Sequence, residues 1–553
     1  MVQSVELTTE ELELPAVAAA RAPERRGRLL DRRLALVLVL LCLCGAGLRL
    51  RELGSAGFAE DEINKLDAVR AYGRGDVTQN AEHPMLMKAL IFLSLGATAR
   101  WNAHAAPAQR ISEEAGLRLP NVLFGALTVC PLFLLTAALF DRRTGLIAAT
   151  LWAFGVNAIT YNRIGKEDTL LVFFMLFAFY FYLRAKQTSG FAEQRKKRFY
   201  IWSAISFGLM LASKYFPHYF GLNMLYHHLV QQRQREPGEP AGRTPGFFYL
   251  VLPIPFVLAN FALFWPRTWQ YLDAYSGEKL LTHHGYLMGN TLYQNVLSQT
   301  PFGTPAYFYA LYLAIKTPLP LLVAFVLGFA VCVRAWRKPG PAFVLLMFAL
   351  WIVPYSLVGA KWLRYVLSLL PLVYMIAAVG IAALLRWGAT LWPDDRRQTP
   401  ARVLRALVLL VFLAVPAWLA YKAGPHYALY TNALGAGRAG YYFPHDEFYD
   451  DGLREAIKLI CEHAPPGATI AHETPGVVRY YLQQYGRTDL QSRALSDPQF
   501  DVNAQPRPVY FILQRGRTYF ENRDKMAQVR QQFPKIYEGY VNGLSAVEVY
   551  VAQ

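Results

Sequence analysis

The sequence predicts a polytopic α-helical membrane protein of about eleven transmembrane helices, carrying a small C-terminal extracytoplasmic α/β domain. Three observations predict it. Of 553 residues 54% are hydrophobic and 17% charged. Apolar runs of membrane-spanning length recur through roughly the first 420 residues. Beyond them the pattern changes to one amphipathic helical stretch, DGLREAIKLICEHA, and the strand-like runs ATIAH, VYFILQR, IYEGYV and AVEVYVA.

The net charge of +17 is confined to the membrane part, because from Tyr421 onward 14 basic residues meet 14 acidic ones. Such an excess fits topology signals and anionic headgroups, and no basic–aromatic module argues for nucleic acid. Cys42, Cys44, Cys130 and Cys332 lie in apolar spans and Cys461 stands alone in the tail, so neither a disulfide framework nor a zinc-type spacing is available.

The N-terminal arm, residues 1–33, ends in RAPERRGRLLDRR with no small-residue cleavage site, which reads as the cytoplasmic flank of an uncleaved anchor. The first span, about 34–50, then delivers GFAEDEINK to the outer face. In the first outer loop (51–117) the apolar core from Met85 to Ala99 is short and broken by Lys88, and is read as an interfacial helix. With it on the surface, the clusters DRR, RKKR, QQRQR, RAWRK and DDRRQTPAR all fall inside. The remaining spans are drawn at about 118–140, 145–161, 169–184, 199–214, 217–230, 246–264, 316–334, 342–358, 365–386 and 403–421. Those at 199–214 and 217–230 form a tight outer hairpin. The membrane domain is thus 34–421, and 422–553 lies outside. The protein is read as integral to a bacterial inner or cell membrane. The long outer loop 265–316 is too long and too rich in aromatic residues, His and Gly for a mere connector.

Asp61 and Glu62 open an amphipathic helix in which Lys65 shares a face with either carboxylate. The ordinary alternative is a solvated helix start, its acids complementing the macrodipole. Against it, this topology brings many ionisable groups to one outer level, among them Arg118, Arg163, Lys361 and Arg364 beside Asp61 and Asp168. Each alone reads as a snorkelling interfacial charge; together they suggest an anion-binding pocket that also moves a proton. A lipid-linked phosphate sugar meets both requirements. Arg and Lys take the phosphate, and a carboxylate such as Asp61 takes the proton of an incoming hydroxyl. The leaving phosphate is a weak base, so cations stabilising it suffice without a protonated acid partner.

The ordered motifs AEDEINKLDAVRAYGRGD, EHPMLMK, RLPNVLFGALTV, YNRIGKEDTLLVFF and KWLRYVLSLLP resemble the GT-C membrane glycosyltransferases over about 55–385. Within these they are most similar to the protein O-mannosyltransferase (dolichyl-phosphate-mannose-protein mannosyltransferase) and bacterial aminoarabinose transferase types. The resemblance implies a polyprenyl-phosphate sugar donor, inversion at the anomeric carbon and an outer-loop Asp as base. It assigns the base to Asp61 with Glu62 its neighbour, and places His83, Lys88, Arg118 and Arg364 around the donor, with HPML standing where relatives have HPPL. Asp168, or Glu167 beside it, would face Asp61. Arg163 and Lys361 complete the candidate basic set, and His283, His284 and Tyr286 are loop candidates for the acceptor. The acceptor itself (protein, lipid or glycan) is open.

Other readings are weighed. Glu82 and His283 are candidates for a divalent metal, but adjacent histidines do not both face one ion easily, and no cofactor is firmly expected. Asp394-Asp395 falls in an inner loop, on the wrong side for a nucleotide-sugar metal pair. A transporter or lipid flippase would show midplane ionisable residues or internal repeats. A non-catalytic scaffold would need no carboxylate beside a basic cluster.

Overall fold

The chain is described by a computed structural model covering residues 31–188, 192–230, 243–276, 285–296, 303–390 and 398–553. Most of the N-terminal arm, His283, His284 and Asp394-Asp395 lie outside the described residues.

Each span drawn from hydropathy coincides with helix. The first, α1 (Arg32–Leu50), starts where the Asp31 carboxylate caps the amide of Leu34 at 2.8 Å. It shows Leu36, Leu40 and Leu43 outward, as a lipid-facing helix must. Among the described residues six helices are long and apolar enough to cross a membrane: Arg32–Leu50, Pro107–Leu139, Asp168–Gln187, Pro339–Leu357, Leu370–Gly388 and Thr399–Ala423. Shorter apolar helices, Gly246–Ala259 and Leu319–Arg334, lie among them. The segment expected at the interface forms a helix of 20 residues, Met85–His104, longer than the apolar core that announced it. The expected hairpin is present: one helix ends at Ser213 and the next begins at His218.

One hydrophobic core runs through the helical bundle, with Trp152, Trp351 and Tyr374 fully buried in it. Close crossing depends on small residues, as expected where lipid offers no hydrophobic drive for association. Helices Leu319–Arg334 and Leu370–Thr390 meet at Gly328 and Gly380. A Cβ on Gly328 would lie 1.8 Å from the Ile376 carbonyl oxygen, and one on Gly380 2.2 Å from that of Ala324.

The C-terminal unit is a five-stranded sheet with strands in chain order β1 (Thr469–His472), β2 (Gln491–Ala494), β3 (Val509–Gln514), β4 (Lys535–Val541) and β5 (Leu544–Ala552). Their spatial order is β2-β1-β3-β5-β4. β1 pairs in parallel with β2 and β3, whereas β5 is antiparallel to β3 and β4. All four strand-like runs of the tail are strands; the short, polar β2 and the helices Pro475–Gln484 and Arg523–Gln532 carried no such signal. The tail does not stand apart. Phe58, Ile63, Leu66 and Val69 of the first loop share one core with Ile457, Val477, Ile512 and Val549. The other sheet face closes over a separate core containing Phe511, Met526 and Val529.

Gly380→Leu would force two helix backbones apart and is expected to destabilise by about 1–3 kcal/mol, read as a lower melting temperature in detergent. Gly47→Leu, with open space around its Cβ position, is expected to leave that temperature near wild type.

Candidate active site

The helix Glu60–Tyr72 begins with three acids, and successive helical residues point about 100° apart. Glu62 therefore turns inward when Asp61 looks sideways along the outer level. Glu62 is fully buried and saturated. Its Oε1 accepts from Arg118 Nε at 2.8 Å and from the Gly165 amide at 2.9 Å. Its Oε2 accepts from Arg118 Nη2 at 2.6 Å and from the Ala59 amide at 3.2 Å. Arg118 spends its other donors on the carbonyls of Leu53, Ala56 and Gly57, so all five N–H groups are engaged.

Asp61 keeps 30% of its side chain exposed, whereas Lys166 and Lys65 beside it are almost wholly buried. Its Oδ1 lies 2.9 Å from Lys166 Nζ, and its Oδ2 lies 3.1 Å from Arg364 Nη1. The phenol of Tyr449, from the tail, donates to Oδ2 at 3.1 Å. Burial alone would push the Asp61 carboxyl up, but Lys166, Arg364 and Lys65 outweigh it and hold it well below the usual carboxylate range. Burial, only partly offset by Asp61, pulls Lys166 down to about 8.

Lys65, on the helix of Asp61 and Glu62, is buried near Asp61 and pairs with Glu167 at 2.7 Å. Burial opposes its charge, yet Glu167 and Asp61 raise its pKa. The other oxygen of Glu167 stands 3.7 Å from His83 Nδ1, and His83 Nε2 is 3.5 Å from Lys166 Nζ. Burial, aided by Lys65 and Lys166, drives His83 well below its ordinary value, so it is neutral.

The other anticipated basic residues have different neighbours. Lys88 donates to the carbonyls of Gln79, Asn80 and His83, closing the turn before its helix, and burial beside Lys65 lowers it to about 7. Arg163 donates to the carbonyls of Arg49, Arg51 and Glu52, bracing the end of the first helix. Lys361 donates to those of Thr304 and Val358. Asp168 pairs with Lys214 at 2.6 Å, and Lys214 sits 4.5 Å above the Tyr365 ring. Tyr286 donates to Asp446 of the tail at 2.5 Å. Glu82 accepts from Asn80, and among the described residues no group of three or more His, Cys, Asp or Glu could hold a metal ion.

With these pairs counted, Arg118–Glu62 and Lys214–Asp168 each cancel, and Lys88 has Glu82 to offset it. Around Asp61 three cations, Lys65, Lys166 and Arg364, then face two carboxylates, Asp61 and Glu167. Arg517 with Glu60 and Asp450, next to them, adds one cation and two carboxylates, so the charges balance over the wider site while the three cations are concentrated on the Asp61 side, where an anion would meet them.

Sequence reasoning missed Tyr449 and its supports. Asp450 accepts from Arg517 Nε at 2.7 Å and from the Glu60 amide at 3.1 Å, and Arg517 Nη1 reaches Glu60 at 2.8 Å. Nothing local marks residues almost 390 positions from Asp61.

Residues 84–259 match the family model described as dolichyl-phosphate-mannose-protein mannosyltransferase. The fold is similar to that of ArnT from Cupriavidus metallidurans in the apo state, at TM-score 0.50 and 14% identity, over 93% of this chain and 97% of that one. Looser likenesses are the Archaeoglobus fulgidus oligosaccharyltransferase AglB (TM-score 0.48, 13% identity, 83% of this chain and 64% of that one) and the mycobacterial arabinofuranosyltransferase AftD (0.43, 16%, 95% and 40%). No curated protein matches the sequence. The family match is confined to residues 84–259, and the likeness to ArnT is one of fold.

Arg118→Met would strand Glu62 as a buried, unpaired charge and is expected to cost on the order of 3–5 kcal/mol. A thermal melt at neutral pH should show a large drop for Arg118→Met and a smaller one for Asp61→Asn, whose part-exposed carboxylate pairs with Lys166 and Arg364.

Proposed function

We propose that this chain is an inverting glycosyltransferase that moves a sugar from a polyprenyl-phosphate donor to an acceptor hydroxyl at the outer membrane face, with Asp61 as general base. The observation that carries the reading is the convergence of two cations, Lys166 and Arg364, on the part-exposed Asp61 carboxylate. Lys166 and Arg364 are the groups assigned to the donor phosphate, with Lys65 behind them and His83 facing Lys166. Glu62, Arg118, Arg163 and Lys88 shape the loop that presents them. Asp168 acts through Lys214 on the same wall. Eleven membrane crossings, an inside N-terminus and an outside tail, with divisions near residues 34 and 422, complete the proposed topology.

Substrate binding activates the base in this arrangement. A carboxylate held low by two cations is ionised but weakly basic. A phosphate entering the pocket competes for Lys166 and Arg364, frees an Asp61 oxygen and raises its proton affinity by like charge. The acceptor O–H then gives its proton to Asp61 as the oxygen bonds to the anomeric carbon. The bond from that carbon to the phosphate oxygen breaks on the opposite side, leaving polyprenyl phosphate against the same cations. The wall also contains aromatic rings, Trp362 and Tyr365 under the Arg364 guanidinium, which supply apolar surface where a sugar would lie.

Transfer from radiolabelled polyprenyl-phosphate mannose and polyprenyl-phosphate arabinose, in membranes of matched expression, tests the assignment. Asp61→Asn is expected to lose at least about a hundredfold in rate, the range of general-base catalysis; wild-type transfer by that variant removes Asp61 from the mechanism. The pH profiles carry a second expectation, because kcat/KM reports the free enzyme and kcat the bound complex. Lys166 near 8 in the free protein predicts that kcat/KM falls above about pH 8 as the ammonium deprotonates. Phosphate binding raises both groups, so the alkaline limb of kcat moves to higher pH. Its acid limb also lies above that of kcat/KM.

A further inference from the structure

Asp61 is faced by groups from every element packed around it. These are Glu60 and Lys65 on its own helix, His83 and Lys166 from the neighbouring turns, Tyr275 from the long loop, and Arg364 and Tyr365 from the turn before helix Leu370–Thr390. The tail adds Tyr449, whose donation to Oδ2 at 3.1 Å is a neutral contact among charged ones. Tyr449 and Asp450 both adopt left-handed backbone, with φ of 45° and 67°. Residues with a Cβ avoid that region unless the surroundings enforce it, and such conformations cluster at functional sites. Here the enforcement is visible. Asp450 is buried and gripped by Arg517, by the Gln514 amide at 2.9 Å and by the backbone N–H of Glu60, the residue next to Asp61. Arg517 also reaches the Glu60 carboxylate. One latch therefore fixes both the Tyr449 backbone and the start of the Asp61 helix.

We propose that Tyr449 is a positioning residue for Asp61, delivered by the tail domain and held by the Asp450–Arg517–Glu60 latch, so that the C-terminal domain completes the active site. The inference rests on the reading of Asp61 as base. An incoming phosphate draws Lys166 and Arg364 away from Asp61, but it draws a neutral phenol far less. Tyr449 keeps its hydrogen bond to Oδ2 and leaves Oδ1, vacated by Lys166, as the oxygen that takes the acceptor proton. Burial and the Asp61 charge hold the Tyr449 phenol well above its ordinary range, so it remains a donor.

The test compares Tyr449→Phe, Arg517→Met and their double variant with wild type and Asp61→Asn. The readout is transfer from radiolabelled polyprenyl-phosphate mannose and arabinose across pH, with melting temperatures in parallel. Tyr449→Phe is expected to lower kcat about tenfold, the worth of one hydrogen bond to a charged group, with the donor KM within about twofold of wild type. The acid limb of kcat should move to higher pH, because a carboxylate that loses a donor holds its proton more tightly. Arg517→Met should move the same limb in the same direction, and the double variant should show no further shift. Wild-type kcat and acid limb in Tyr449→Phe, with Asp61→Asn inactive, overturns this inference and leaves the base assignment standing. A fall in kcat with an unmoved limb and a lower melting temperature marks a merely structural residue and also overturns it. Wild-type transfer by Asp61→Asn removes the base assignment, and the role of Tyr449 with it.

Discussion

The site depends on the bidentate pair between Arg118 and Glu62. Two parallel N–H···O bonds at 2.8 and 2.6 Å anchor the helix that carries Asp61. The remaining Arg118 donors gather three carbonyls of the irregular segment before it. Those carbonyls are buried or half-buried and belong to no helix or strand, so an unmade bond there is costly. Glu62 also accepts the Gly165 amide and so ties the turn carrying Lys166 to the Asp61 helix. A Cβ on Gly165 would lie 2.2 Å from a Leu117 methyl, which leaves little room for that turn to shift. One ion pair thus sets the distance between a carboxylate and the cation it meets.

The tail reinforces the same geometry from the other side. Its core is continuous with the apolar face of the Asp61 helix, and its polar rim reaches the first loop at several points. Tyr481 donates to Glu114 at 2.9 Å and accepts from the Phe58 amide at 2.8 Å. Arg454 donates to the Gly54 carbonyl at 3.1 Å and also reaches that of Ser55. A Cβ on Gly57 would come within 2.9 Å of both Arg454 and Tyr481, so the close approach itself requires glycine. A domain held by a shared core and by the Asp450–Arg517–Glu60 contacts is packed as one unit with the Asp61 helix rather than hung on a linker.

Much of this was legible in the sequence because hydropathy and alternation report burial directly. The spans, the hairpin around Lys214 and the tail strands follow from it. Asp61 was legible as an acid at an outer helix start among scattered cations. The division of labour among the basic residues was not. Arg118, Arg163 and Lys88 read as phosphate ligands because a sequence shows a cation and not the carbonyls it will satisfy, and the structure gives each of them backbone oxygens. The spacing placed Lys65 near Asp61, but its ion pair with Glu167 is a tertiary contact that no local spacing shows. Tyr449 carried no signal, since a left-handed tyrosine is fixed by its surroundings and not by its neighbours in the chain.

The central claim is that the cations around Asp61 form a phosphate site for which Asp61 competes. Binding of undecaprenyl phosphate to the purified protein at neutral pH, measured calorimetrically for wild type, Lys166→Met and Asp61→Asn, tests it most directly. The account predicts weaker binding by at least about tenfold in Lys166→Met, for the loss of one charge-assisted contact. It predicts tighter binding in Asp61→Asn, where the competing carboxylate is gone and the same cations are free for the phosphate. Equal affinity in all three proteins would contradict it, as would weaker binding in Asp61→Asn.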